Sequence, residues 1–414
     1  MLLGAGLLLP GAHTRADLGE PLTLAAAEAF ALAEEPGQRA FRAEAEMQRQ
    51  QAKVAAQLPD PELRVAINNY PIESGGFSTE GMTNAQLGLR QAFPPGDRRS
   101  MSERQLRSLA EERDYRAKSR GRDVVTATRL AWLEVYYRDQ ARKTIVESRP
   151  FFEDLVQSTR SLYSVGRKSQ QDVLRAELEL SRLEDRLIEA DRQRAGARAR
   201  LGRWVGDAAA RPIAATLPAW DRLPPLEDLQ QALRSHPALM AADASVEASD
   251  AGIGVARARQ KPGWMLDLSY SYRDGSLPAG TPRSDFVSIG VTVGLPFFRK
   301  RSVDSTLSAA LADKRAAAAS KEALRRDLFS RLEAEYNQWR DLTRRLELYR
   351  RVILAQTEDQ VNAAQLAYQN DVADFADLMQ ANIEQLDTRI DYLRLQVARA
   401  RSYAAIANLG GLPQ

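Results

Sequence analysis

The 414-residue chain contains no cysteine and only two histidines, His13 and His236. Without cysteine there can be no disulfide, no thiolate metal site and no lipidated N-terminal cysteine. Two histidines so far apart in sequence, one of them near the start, leave no pair for a metal centre or a catalytic dyad. His236 stands beside Pro237 at a helix end and reads as structural. There is no glycine-rich phosphate loop. Acid pairs such as Glu111-Glu112 fall on amphipathic helices as solvated faces, and the seven methionines are scattered rather than aligned as a thioether track. No enzymatic activity, cofactor or metal site is expected. Internal apolar runs stop well short of the roughly 20 residues of a spanning helix, so any membrane crossing must use strands. Net charge is only +3 although 27% of residues are charged, and the two signs are interspersed; this suits solvated helix faces, and no nucleic-acid partner is expected.

What is present is organised around residues 264–298. Trp264, Leu266, Leu268, Tyr270 and Tyr272 alternate with Met265, Asp267, Ser269, Ser271 and Arg273, and Val287, Ile289, Val291, Val293 and Leu295 alternate with Ser288, Gly290, Thr292 and Gly294. A period of two over about ten residues gives a strand with one apolar and one polar face. That length also crosses a bilayer on a tilt. Aromatic residues at the ends (Trp264, Tyr272, Phe286, Phe297, Phe298) match the girdles of a membrane barrel. On this hairpin alone, a soluble sheet and a membrane sheet are equally open.

The chain then proves to be written twice, at an offset of about 201 to 205 residues. Glu35-Pro36 matches His236-Pro237, Val65 and Ile67 match Leu266 and Leu268, and Leu87-Gly88-Leu89 matches Ile289-Gly290-Val291. Tyr163 falls on Tyr368 and Asp172 on Asp377, and the order never breaks. The expected organisation is a signal-like segment 1–16, repeat 1 over 17–211, a proline-rich linker 212–225 and repeat 2 over 226–414. The signal reading rests on the apolar run Met1 to Pro10 and the small-residue positions near Ala16, although a basic start is missing. Each repeat reads helix–strand–strand–long helix–helix. Strands are expected at about 62–70, 84–93, 264–273 and 286–295, and the opening helices at about 22–57 and 226–260. Between Gly294 and Gly410 there is no glycine, and the only proline is Pro296. The run to Tyr368 predicts one rod of about 100 Å at 1.5 Å per residue. In repeat 1 Pro150 is expected to kink its counterpart.

Four strands with one apolar face cannot shield their edges in lipid, because each unpaired backbone group there costs several kcal/mol. Closure needs several chains, and three would give 12 strands. Leu87, Leu89, Leu266, Leu268, Ile289, Val291 and Val293 are then expected to face lipid, with Asp267, Ser269, Ser271, Ser288 and Thr292 facing water. The fold class expected is mainly α with a transmembrane β part: a trimeric 12-stranded β-barrel on a long α-helical barrel.

With the duplication, the strand exits at Pro94 and Pro296, and the turn Tyr163-Ser-Val-Gly166-Arg-Lys-Ser-Gln-Gln-Asp172-Val-Leu174, the sequence resembles the TolC-like outer-membrane efflux duct family. The segment Leu58 to Leu63 with Asn68-Asn-Tyr-Pro71 is most similar to the branch serving heavy-metal export pumps. The resemblance implies a homotrimer in the outer membrane of a Gram-negative bacterium. It would extend into the periplasm, meet a periplasmic membrane-fusion adaptor and, through it, an inner-membrane pump of the RND type. It implies a passive channel for metal cations or small toxic compounds. By the same resemblance the hairpins carrying Tyr163, Gly166, Asp172, Leu174, Tyr368 and Asn370 would contact the adaptor. An acidic tip ring from Asp371, Asp374 and Asp377 would form a gate, with Gln380 where a second family acid would sit. The alternatives are a soluble coiled-coil scaffold, a type I protein-secretion duct and, more distantly, a hydrolase using paired carboxylates. For the aspartates the alternative is simple capping of a helix turn.

Overall fold

Proline decides where the first helix of each repeat breaks. A computed structural model of the protein describes residues 20–33, 35–295, 300–370 and 372–412. The signal-like segment, Pro296, Phe297, Phe298 and Asp371 lie outside the described residues. The single opening helix expected in each repeat is instead two. They are α1 (Leu24–Ala33) and α2 (Pro36–Ala56) in repeat 1, and α5 (Leu226–Leu233) and α6 (Pro237–Ala258) in repeat 2. Pro36 and Pro237 each begin the second helix, where the missing amide would have had no intrahelical partner. In the helix interior the same ring would clash with the preceding turn.

The strands are β1 (Glu62–Asn68), β2 (Asn84–Phe93), β3 (Gly263–Tyr272) and β4 (Phe286–Gly294). They form one antiparallel sheet in the order β1-β2-β3-β4, so the two repeats join through β2 and β3. The register keeps apolar residues in rows. Leu63, Leu89, Leu268 and Ile289 lie opposite one another, as do Val65, Leu87, Tyr270 and Val287.

After the sheet come α3 (Arg98–Ser164) and α4 (Gln170–Val205) in repeat 1, then α7 (Lys300–Leu348), α8 (Leu354–Gln369) and α9 (Phe375–Gly410) in repeat 2. α3 continues as one helix through Pro150. The rod expected to run unbroken to Tyr368 contains a π turn, Tyr349–Ile353, in which the Leu354 amide donates to the Tyr349 carbonyl. The stripe Leu346, Tyr349, Ile353 has ordinary helical spacing, so the inserted residue leaves no mark in the hydrophobic pattern.

Two compact units result. One comprises the described residues up to 36, with 120–236 and 327–412; the other comprises 37–119 and 237–326. Each draws on both repeats. The second unit holds the sheet, together with α2, α6 and parts of α3 and α7. Its helices are tied by pairs such as Lys314–Asp250 at 2.6 Å and Ser249 Oγ donating to Asp313 at 2.7 Å. The first unit has two main apolar cores. One gathers Leu22, Trp132, Leu133, Leu201, Leu393 and Val397, with Trp132 Nε1 donating to the Leu22 carbonyl at 2.9 Å. The other gathers Phe152, Leu155, Leu183, Tyr368, Phe375 and Leu378 near the helix-hairpin turns. The proline-rich linker is packed into the first unit rather than loose. Leu22 and Ile213 make a parallel bridge, and Trp220 stacks on Tyr403 with centroids 4.8 Å apart.

An ion pair is sunk into this unit. Arg129 Nε lies 2.6 Å from Glu28 Oε1, with side chains only 5% and 12% exposed. The guanidinium also sits over the Trp220 ring. Removing one partner strands a buried charge, whereas removing both does not. Arg129→Met is therefore expected to destabilise the protein by about 3–5 kcal/mol, and Arg129→Met combined with Glu28→Leu to recover most of that loss. Chemical denaturation across the double-mutant cycle measures it; equal losses in the single and double variants would contradict the assignment.

His236 is buried, with Asn408, Asp123 and Arg122 around it. Burial holds its imidazole below the ordinary value and Arg122 adds to this, against weaker opposite contributions from Asn408 and Asp123. The unfolded chain takes up the proton near pH 6.5. Because the folded value is lower, stability is full above that pH and declines as pH falls through the window down to the folded value. His236→Gln is expected to flatten the dependence of melting temperature on pH between 7.5 and 5; an unchanged slope would rule His236 out as its source.

Candidate functional site

Two places carry the predicted site residues, and each is described within its own unit. The first is the sheet. Alternation puts Leu63, Val65, Ile67, Leu87, Leu89, Leu266, Leu268, Tyr270, Val287, Ile289, Val291 and Val293 on one face, and these are 37% to 76% exposed. Soluble monomers rarely expose a contiguous apolar face of this kind. At one end Phe93 stacks on Trp264 with centroids 3.9 Å apart, and at the other Tyr272 stacks near Phe77.

The opposite face is a polar ladder. Asn68 Nδ2 donates to Asn84 and Gln86 at 3.1 and 3.0 Å, and Gln86 Nε2 donates to Ser269 Oγ at 2.8 Å. Near the helix-bearing end, Arg90 Nε donates to Asp267 Oδ1 at 2.6 Å, in a row that begins with Glu62. β1 pairs only with β2, and β4 only with β3, among the described residues. Each outer edge therefore offers a row of backbone donors and acceptors.

The second place is the pair of helix-hairpin turns in the other unit. Gly166 has φ +75°, which a side chain resists. Its amide donates to the Tyr163 carbonyl and that of Arg167 to the Leu162 carbonyl, both at 2.9 Å, closing α3 with a Schellman motif. Ser169 and Asp172 cap α4 reciprocally: the Ser169 amide donates to Asp172 at 3.0 Å and the Asp172 amide to Ser169 Oγ at 3.3 Å. In the second turn the Val372 amide donates to the Ala367 carbonyl at 2.9 Å, the same bond displaced by 205 residues. Asp374 is the N-cap of α9, and its amide donates to Asp377 Oδ2 at 3.3 Å.

Tyr163, Gly166 and Leu174 are exposed, Asp172 is half-buried, and Asn370 is exposed with Nδ2 donating to the Leu366 carbonyl at 2.8 Å. Tyr368 differs from these. It is 8% exposed, packed against Phe375, and belongs to the core beneath the turns. Asp374 and Asp377 are exposed while also serving as caps.

Sequence reasoning passed over three features. Glu384 lies two helical turns beyond Asp377 on the same face, and its carboxylate accepts from Gln380 at 2.9 Å and Gln360 at 3.0 Å. The i,i+7 spacing from Asp377 is the signal that would have found it. Lys168 sits 4.5 Å from the centre of the Tyr368 ring. The Arg90–Asp267 pair joins residues 177 apart, and only the β2–β3 register reveals it. Among the described residues no group of three His, Cys, Asp or Glu is placed to hold a metal ion, and no helix is long and apolar enough to cross a membrane.

Comparison with known proteins agrees with this geometry. Residues 229–412 match the family described as outer membrane efflux protein. No curated protein sequence matches the chain. Among solved structures, the outer-membrane channel OprN is similar at TM-score 0.78 and 20% identity over 94% of this chain and 90% of that one. CusC, whose structures describe transmembrane channel formation, is similar at TM-score 0.78 and 17% identity over 94% and 92%. The outer membrane protein VceC of Vibrio cholerae gives TM-score 0.77 and 18% identity over 94% and 96%. By fold the chain is similar to these outer-membrane channels over 94% of its length, and residues 229–412 match the outer membrane efflux protein family.

Proposed function

We propose that the chain is the outer-membrane channel subunit of a tripartite efflux system, acting as a homotrimer in the outer membrane of a Gram-negative bacterium. The observation that carries this reading is the sheet: four strands, one continuous exposed apolar face and two open edges. In water that face would be solvated at a cost of roughly 25 cal/mol per Å². In lipid it is at home, provided the edges pair, and threefold assembly pairs β4 of one subunit with β1 of the next. The polar ladder then lines a water-filled passage. The helical hairpins reach into the periplasm, where the exposed residues Tyr163, Gly166, Leu174 and Asn370 meet a membrane-fusion adaptor coupled to an inner-membrane pump of the RND type. Conduction is passive, because the energy is supplied by the pump. The substrates are metal cations or small toxic compounds. Resemblance of the segment Leu58 to Pro71 to heavy-metal export ducts favours the former.

Under this reading Asp371, Asp374 and Asp377, repeated threefold at a narrow mouth, form a gate that favours cations. The caps do not need the charge, because asparagine caps a helix as well as aspartate.

Two outcomes test the proposal. Ile289→Arg puts a charge on the apolar face at a cost of about 2–4 kcal/mol near the membrane midplane. The native chain is expected to run as a heat-sensitive trimer from the detergent-extracted outer-membrane fraction, and the variant to leave that fraction and lose the trimer; a native-like trimer of the variant there would contradict the lipid assignment. Asp374→Asn with Asp377→Asn keeps the caps and removes the charge. In planar bilayers it is expected to lower the cation-to-anion permeability ratio, and an unchanged reversal potential in a salt gradient would remove the gate.

A further inference from the structure

In the unit that holds the turns, the second helix of each hairpin is a copy of the other, and one copy is covered where the other is bare. α9 is α4 moved along by 205 residues; each is 36 residues long and opens on the same reciprocal cap. Leu393 and Ala400 of α9 pack into a core with Trp132 and Leu133 of α3, so a helix of repeat 1 covers this face of repeat 2. Their counterparts on α4 are Ile188 and Ala195. Both are exposed, Ile188 at 71% against 9% for Leu393. Likewise Ile383 packs against the core beneath the turns, while its counterpart Leu178 is 50% exposed. The bare face is broken by Arg192, the counterpart of Val397, which pairs with Glu189. Charge follows the same plan. Arg186 of α4 reaches Asp387 of α9 at 3.0 Å and ties the repeats together. One repeat on, Arg186 becomes Asp391 and Asp387 becomes Arg182, so the pair survives with its signs exchanged. Within one chain these two do not meet: Arg182 pairs with Glu179 and Asp391 with Arg394, each three residues along its own helix. Such exposed local pairs hold their charges only weakly.

We infer that the bare flank of α4 is the seat of a second copy of this chain. The α7–α8 rod of that copy covers Ile188 and Ala195 as α3 covers Leu393 and Ala400, and its Asp391 pairs with Arg182. The inference rests on the trimeric reading above and names the helical contact that closes it. A head-to-tail contact makes a closed ring only when its rotation closes. A subunit made of two copies meets that condition when the contact between subunits repeats the contact between repeats. Rotation about the ring axis keeps every residue at its height. Tyr349 stacks on Tyr392, the neighbour of Leu393. Leu348 and Val352, both exposed apolar residues, therefore stand at the height of Ile188 in the next copy.

The chain has no cysteine, so cysteine pairs can be introduced without background. The full-length protein in detergent is treated with a short bis-maleimide and run on denaturing gels. Arg182→Cys with Asp391→Cys is expected to give covalent dimers and trimers, as is Ile188→Cys with Leu348→Cys. Arg186→Cys with Asp387→Cys is expected to bridge within the chain and stay at monomer mass. Charge gives a second readout. Arg182→Asp is expected to lower the temperature at which the trimer dissociates, and Arg182→Asp with Asp391→Arg to restore it. In that double variant each new charge faces a like charge on its own helix, Glu179 or Arg394, so recovery can come only from the pair between copies. A native trimer in which the first two cysteine pairs yield only monomer would overturn this contact and leave the ring standing. So would a dissociation temperature that ignores Arg182→Asp or is not recovered in the double variant. A native chain that is monomeric in detergent would overturn the ring as well.

Discussion

A β-sheet can hide its backbone only by having neighbours on both sides, and this sheet has none beyond its outer strands. β1 and β4 end the sheet, and the face carrying Leu63, Leu89, Leu268 and Ile289 has no helix against it among the described residues. Every other feature can be read from that deficit. Helices satisfy their own amides and can stand in water, so the charged residues are concentrated there, many of them in i,i+3 and i,i+4 pairs such as Glu322 with Arg325 and Arg326. Such exposed pairs contribute little to stability individually. Their use is to keep long helices soluble. The sheet instead carries its polar groups on one face, where Asn68, Gln86, Ser269, Arg90 and Asp267 satisfy one another across strands.

Much of this was legible in the sequence because strand alternation has a period of two and leaves no freedom. Once Leu266 and Leu268 face one way, Asp267 must face the other. The strand limits therefore came within two residues of those observed. The opening helices were misread because apolar periodicity continues on both sides of Pro36 and Pro237. A periodic pattern reports which face is buried, not whether the backbone is continuous. The π turn escaped for a related reason: Leu346, Tyr349 and Ile353 keep the same stripe with or without it. Tyr368 was placed among surface contacts because it opens a turn motif, yet packing against Phe375 turns it inward. The Arg90–Asp267 pair depends on a register between two repeats, which local patterns do not specify.

The duplication allows the two copies to be compared as independent solutions of one geometry. The chain must reverse at each tip, and both tips close with the same backbone bond, Arg167 to Leu162 and Val372 to Ala367. Both long helices also carry an irregularity at nearly the same level. Position 150 shifted by 205 is Ala355, two residues beyond the π turn, so a proline in one copy and an inserted residue in the other fall on neighbouring turns. Features that recur through different chemistry are those the geometry itself demands.

The same comparison separates capping from charge at the second tip. In the first hairpin the N-cap is Ser169, a neutral residue, and its hydroxyl accepts the Asp172 amide as a cap should. The second hairpin has Asp374 at that position, with the reciprocal bond to Asp377 preserved. Helix capping thus has a working solution without the extra carboxylate only one repeat away. An aspartate at an N-cap gains a little from the helix dipole, about 0.3–1 kcal/mol at an exposed site. That gain was equally available to position 169 and is not used there. The carboxylate of Asp374 is in that sense surplus to the local fold, as the gate role proposed for it requires.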